Sequence, residues 1–67
     1  MPRMTAAEFR AALRELGLKQ ATLAANLSVA KSTVNHWATG ASPVAPYVPY
    51  VLRLLRERRQ IESIAKN

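Results

Sequence analysis

Five polar residues, none of them acidic, lie within nine positions near the middle of the chain: Lys31, Ser32, Asn35, His36 and Thr39. Most of their side chains can donate hydrogen bonds, through amine, hydroxyl, amide or imidazole groups. No Asp or Glu occurs between Glu15 and Glu57. A donor-rich surface without negative charge suits a polyanionic partner.

The spacing of apolar residues predicts a helix that presents these side chains. Val34, Trp37 and Ala38 recur three and four positions apart and give a helix over residues 31–39 one apolar face. The polar residues fall on the opposite face, and Gly40 is predicted to end the helix. We expect Trp37 to pack in the core and not to stack on a base, because it shares its face with Val34.

A second short helix precedes this one. Leu23, Ala24 and Leu27 predict a helix over residues 20–27, and the segment 28–30 interrupts the periodicity. Two helices joined by a turn of three or four residues form the helix-turn-helix plan. We expect Ala24 to face the following helix, where only a small side chain lets two helices cross closely.

The composition describes one small basic domain. The 67 residues include ten Lys or Arg, four Asp or Glu, one His and no Cys, and the formal charge is +6. This charge favours nucleic acid as the partner, with a membrane-active basic helix as the main rival. No disulfide and no zinc site are expected, and such a domain buries only about 60% of the surface of its unfolded chain.

Several other classes of protein are not expected. No apolar run approaches the roughly 20 residues of a membrane span, and the N-terminus lacks the apolar core of a signal peptide, so we expect a cytoplasmic protein. We expect neither an enzyme nor a cofactor, because the chain has no Cys, no paired carboxylates in the motif and no hydroxyl–His–acid constellation.

The first helix has marked ends. Thr5 and Glu8 form a capping box, in which the hydroxyl accepts from the Glu8 amide and the carboxylate from the Thr5 amide. Gly17 is predicted to end the helix in a left-handed conformation. Arg10 is expected on a solvated face. The predicted buried stripe consists of Phe9, Ala12, Leu13 and Leu16.

A proline-rich connector, residues 41–49, leads to the last helix, which is predicted to run from about Tyr47–Pro49 to about Ala65. This helix is apolar on more than one side: Tyr47, Val51 and Leu54 form one stripe, Val48, Leu52 and Leu55 another, and Ile61 and Ile64 follow a basic stretch. Because one core-facing side cannot absorb this surface, we expect a two-fold homodimer. The residues expected in its interface are Leu52, Leu55, Ile61 and Ile64.

The segment LKQATLAANLSVAKSTVNHWATG, residues 18–40, resembles the helix-turn-helix of the Cro and CI type, also called the xenobiotic-response-element family. The positions that match without a gap are Leu18, Gln20, Leu23, Ala24, Leu27, Val29, Ser32, Thr33, Val34, Trp37 and Gly40. The step from Pro46-Tyr47 into an apolar helix also resembles small phage regulators, including some that control anti-CRISPR operons.

This resemblance implies a fold and a set of DNA contacts. The fold is a compact all-α domain of four to five helices over residues 1–67, with the helix-turn-helix unit at 20–39 and the last helix at about 47–65. Lys31, Ser32, Asn35 and His36 occupy its base-reading positions. The full predicted DNA-binding set is Lys19, Gln20, Lys31, Ser32, Thr33, Asn35, His36 and Thr39.

The chemistry of three of these side chains suggests which bases they read. Lys31 suits guanine O6 and N7, Asn35 suits adenine N6 and N7, and His36 can donate to a guanine. Outside the base-reading positions, Gln20 resembles a glutamine that touches a phosphate or a base, and Thr39 matches a position that contacts the DNA backbone.

Three residues depart from the family pattern. Ser28 replaces the turn glycine and must take a left-handed conformation at some cost, or else shift the turn. Lys19 and Ala30 stand at the N-caps of the two helices, where the family has Ser or Thr, and neither side chain can accept a hydrogen bond from a backbone amide. These departures bear on the angle at which the helix over residues 31–39 enters the groove, and not on the fold.

Together these features predict a regulator that binds a near-palindromic site in double-stranded DNA as a homodimer. We expect a repressor of its own or a neighbouring operon, of phage or mobile-element type, with no metal and no membrane partner. Two alternatives remain open: an antitoxin that neutralises a toxin and represses its own operon, and a protein-interaction module that does not bind DNA.

Overall fold

A computed structural model describes the backbone of residues 3–65 and the side chains as far as residue 61. This part of the chain contains no strand and forms four helices: α1 (Ala6–Leu16), α2 (Gln20–Leu27), α3 (Lys31–Thr39) and α4 (Val48–Ala65). The prediction of an all-α domain is therefore confirmed. Of the four to five helices expected, four are present among these residues.

The predicted ends of α1 are present. The Thr5 hydroxyl accepts from the Glu8 amide at 3.1 Å, and the Thr5 amide donates to the Glu8 carboxylate at 2.8 Å. The hydrogen bond from the Thr5 amide, followed by that with the Thr5 side chain, lowers the pKa of the fully exposed Glu8. At the other end Gly17 has φ 63°, and the Leu18 amide donates to the Leu13 carbonyl at 2.9 Å. These contacts satisfy backbone groups that the helix alone would leave unpaired.

The turn between α2 and α3 is built on a left-handed serine. Ser28 has φ 57° and ψ 38°, and it is the one non-glycine residue with positive φ among those that the structure describes. This conformation lets the Val29 amide donate to the Ala24 carbonyl at 3.0 Å. Of the two possibilities raised by the missing glycine, the chain adopts the left-handed serine and keeps the turn in place.

The core lies where α1, α2, α3 and the start of α4 meet. Its fully buried side chains are Phe9, Leu23, Val34 and Val48. Trp37 is 4% exposed and packs edge-on against Phe9, with ring centroids 5.9 Å apart, so its predicted core position is confirmed. Ala24 is 4% exposed on α2, which packs against α3.

Helix α4 turns the Val48 and Leu52 stripe toward the core, which corrects part of the expected dimer interface. Leu52 is 4% exposed, so its side chain is not left as free apolar surface for a partner, whereas Leu55 is half-buried against the core. Val44 in the connector is itself buried, and together with Val48 it fixes which side of α4 faces inward. Ile61 is exposed as expected, and the side chain of Ile64 lies outside the described residues.

Candidate nucleic-acid interface

The polar residues of α3 share one outward face. Val34, Trp37 and Ala38 are buried against α1 and α2. A helix that buries these positions must turn the intervening ones outward. The side chains exposed in this way are Lys31, Ser32, Asn35, His36 and Thr39. The structure therefore brings together five of the eight residues predicted to contact DNA.

These side chains differ in how far they are already engaged. Within the described part of the chain, Lys31, Ser32, Asn35 and His36 have no hydrogen bond or ion pair through their side chains. Thr39 donates to the His36 carbonyl at 3.3 Å and accepts from the Ala41 amide at 3.4 Å. Four side chains are thus open to an incoming ligand, while the Thr39 hydroxyl helps to close the end of α3.

The remaining three predicted residues lie apart from this face. Thr33 is half-buried on α3. Lys19 is exposed and Gln20 half-buried, and they stand at the start of α2. No described hydrogen bond or ion pair joins Lys19 or Gln20 to the polar side chains of α3, so no polar contact ties these two groups of candidate residues together.

Both helices of the motif begin without a side-chain cap. Lys19 and Ala30 have the extended backbone of an N-cap residue, with ψ 150° and 145°, but neither side chain accepts a hydrogen bond from the first turn. Backbone amides in the first turn of α2 and α3 therefore lack the acceptor that Ser or Thr would supply. Such amides and the positive end of the helix dipole favour an anion nearby.

Arg10 fixes the far end of α3 in a way that the sequence pattern does not reveal. Its guanidinium Nη1 on α1 donates to the carbonyl of Ala38, 28 residues later in the chain. A cation at the last carbonyls of a helix satisfies unpaired acceptors and the negative end of the dipole. Together with the contact between Phe9 and Trp37, this bond holds the polar face of α3 at a set angle to α1. The sequence predicts only a solvated position for Arg10, and no local signal distinguishes it from Arg14.

Several arginines on α4 are held by acidic or carbonyl groups. Arg56 contacts the Glu15 carboxylate at 2.8 Å, and Arg59 donates to the Glu15 carbonyl at 3.2 Å. Arg53 lies 3.5 Å from the Glu57 carboxylate. All of these pairs are exposed, so they are weak in water, but they reduce the positive field of α4. Lys31 has no such neighbour among the described residues.

Two further findings concern other kinds of site. No helix in the described part of the chain is both long enough and apolar enough to cross a membrane. The same residues hold no cluster of three or more His, Cys, Asp or Glu side chains that could bind a metal ion.

Comparison with protein-family models, with curated proteins and with solved structures finds no match to this chain.

Proposed function

We propose that this protein binds a specific sequence in double-stranded DNA through α3 and represses transcription of its own or a neighbouring operon, of phage or mobile-element type. The observation that carries the proposal is the outward face of α3. It presents four unengaged polar side chains, no carboxylate and a buried apolar side opposite, as an element inserted into the major groove requires.

The division of labour follows from the chemistry of each group. Lys31, Asn35 and His36 would read base edges, because their donors and acceptors match guanine and adenine in the major groove. Lys19, Gln20 and the uncapped first turns of α2 and α3 would hold phosphates and set the register of the protein on DNA. Occupancy of the site would then exclude the polymerase.

Removal of the two basic groups from α3 tests the proposal. Selection of bound duplexes from a random pool would first supply the site. Lys31→Ala and His36→Ala are then each expected to weaken binding to that site by about 1–3 kcal/mol, which is the usual value of a good base contact. Binding to a scrambled duplex should change much less, and gel shifts over a range of salt concentrations measure both.

Arg14→Ala provides the matched control, because it also removes one positive charge but lies exposed on α1. It is expected to affect the selected and scrambled duplexes equally. Failure of the random pool to yield any preferred duplex would overturn the proposal, as would unchanged affinity of both α3 variants. In the latter case α3 would not be the reading element. A stoichiometric protein partner that displaces DNA would instead favour the antitoxin alternative.

A further inference from the structure

Helix α4 carries an exposed apolar stripe that the fold leaves uncovered. Tyr50, Leu54 and Ile61 are 57%, 64% and 65% exposed. Tyr47, which precedes the helix, instead packs edge-on against Trp37, with ring centroids 6.4 Å apart. Tyr50, Leu54 and Ile61 take the d, a and a positions of a seven-residue repeat, in which Glu57 takes the remaining d position. We refer to these four residues, 50, 54, 57 and 61, as the α4 seam.

The opposite side of α4 is already occupied by the rest of the chain. Val48 and Leu52 are buried in the core, and Leu55 packs against it. Arg56 and Arg59 reach the end of α1 at Glu15. The seam therefore points away from the protein's own core, and none of the described elements can cover it without giving up these contacts.

We propose that the seam pairs with the same seam of a second copy of this chain, with the two α4 helices antiparallel. This inference rests on the proposed function together with the homodimer that the sequence predicts for it, and it assigns the surface and the orientation. A two-fold axis uses the same patch on both copies. Coiled-coil packing of a and d positions would cover the apolar side chains that water now contacts.

Charge decides between the two orientations. Parallel pairing would set Glu57 against Glu57 of the second copy and bring Arg53, at a g position, beside Arg58 at an e position. Antiparallel pairing instead sets Leu54 opposite Glu57 and Tyr50 opposite Ile61. Glu57 of each copy then lies beside Leu54 of the other copy, which is the neighbour of Arg53 in the chain. The carboxylate of Glu57 and the guanidinium of Arg53 therefore meet across the interface.

The surface beside the seam suits this arrangement. An apolar groove of about 700 Å³ borders Tyr50 and is lined by the connector, by the start of α4 and by Met4. Because antiparallel pairing sets Ile61 of the second copy opposite Tyr50, that isoleucine reaches the edge of the groove. The groove and the seam then form one continuous apolar surface for the same occupant.

Cysteine mapping tests the orientation cleanly, because the chain contains no native cysteine. The variants are Tyr50→Cys and Ile61→Cys, with Ala11→Cys on exposed α1 as the control. Antiparallel pairing predicts that a mixture of Tyr50→Cys and Ile61→Cys protein forms a disulfide-linked dimer in a glutathione buffer, whereas each variant alone and the control do not. Disulfides that join 50 to 50 and 61 to 61 in the single-variant samples, with none joining 50 to 61 in the mixture, would show parallel pairing and overturn the proposal.

A charge pair at Leu54 tests the same contact without cross-linking. Opposite Glu57 of the second copy, Leu54→Glu adds repulsion and Leu54→Lys adds attraction. We expect the lysine variant to self-associate at least roughly tenfold more tightly than the glutamate variant, measured by sedimentation equilibrium. Leu54 is 64% exposed, so both variants should fold, which circular dichroism checks. Equal self-association of the two variants would overturn the antiparallel contact.

Cross-linking and sedimentation measure pairing without DNA, so their results separate this inference from the proposed function. A wild-type chain that remains monomeric at tens of micromolar but shifts the selected duplex would overturn the pairing and leave DNA binding intact. A cross-linked 50–61 dimer that binds no duplex would do the reverse. A monomer that instead binds a different protein through Leu54 would also overturn the second copy as the occupant.

Discussion

Replacement of the turn serine by glycine should make this protein more stable. Ser28 is held at φ 57° and ψ 38°, in the left-handed region that costs an L-residue roughly 1–2 kcal/mol. Its side chain is exposed and has no hydrogen bond among the described residues, so glycine removes no packing. The backbone bonds of the turn, such as that from the Val29 amide to Ala24, stay in place.

Two opposing effects set the size of the gain. Glycine relieves the left-handed strain, but it gives the unfolded chain about 0.4–1 kcal/mol more conformational freedom to lose on folding. The midpoints of these two ranges differ by about 0.8 kcal/mol, which is the stabilisation expected for Ser28→Gly. For a domain of this size the Tm should rise by roughly 3–6 °C, which thermal melts followed by circular dichroism measure at constant protein concentration.

Ala41→Gly is the matched control for this prediction. Ala41 is also an exposed residue in a connection between helices, but its φ is not positive. Glycine there has no strain to relieve, so only the entropic cost remains and the Tm should fall. If both variants melt lower by the same amount, Ser28 is not strained in solution and the proposed reason for the gain is wrong.

Three further variants test the caps and the helix crossing. Ala24→Val should destabilise the domain by about 1–3 kcal/mol in thermal melts, because the site is 4% exposed between α2 and α3; a wild-type Tm would mean that the crossing has room. Ala30→Ser should raise the denaturant midpoint by about 0.5–2 kcal/mol of stability, since it supplies the missing acceptor at the start of α3; a lower midpoint would place the helix start elsewhere. The pKa of Glu8 lies below its ordinary 4.5 in the folded chain, so its stabilising effect is complete at neutral pH and is lost as the pH falls through that lowered value. Glu8→Gln should therefore lose less stability on acidification, and Tm values measured from pH 7 to pH 3 with an unchanged slope would contradict this.

The local features of the fold could be predicted from the sequence, because their causes lie within a few residues. The capping box at Thr5, the left-handed Gly17 and Gly40, and the uncapped Lys19 and Ala30 all depend on backbone groups one turn away. The buried side of α3 follows from the spacing of its apolar residues. This spacing also turned the polar face of α3 outward, so the candidate DNA-reading face could be predicted from the sequence.

The choice between the stripes of α4 was made by the tertiary structure. Periodicity shows that α4 has several apolar sides, but the direction in which the connector delivers the helix decides which side meets the core. Burial of Val44 and Val48 brought Leu52 inward and left Leu54 exposed. Periodicity alone therefore could not exclude Leu52 from the expected interface. Only the position of the core shows that Leu54 is exposed and Leu52 is not.

Contacts between distant residues were equally beyond the reach of the sequence. Arg10 meets the Ala38 carbonyl, and Arg56 and Arg59 meet Glu15, across 28, 41 and 44 positions. Each is a long charged side chain of a kind that usually lies in solvent, and nothing nearby in the chain marks its partner. The sequence by itself thus determined where each helix begins, where it ends and which side of α3 is polar. Only the packing of α1 against α3 and α4 decided that Arg10 anchors α3, that Arg56 and Arg59 tie α4 to α1, and which side of α4 stays open, because those outcomes depend on the angles between helices.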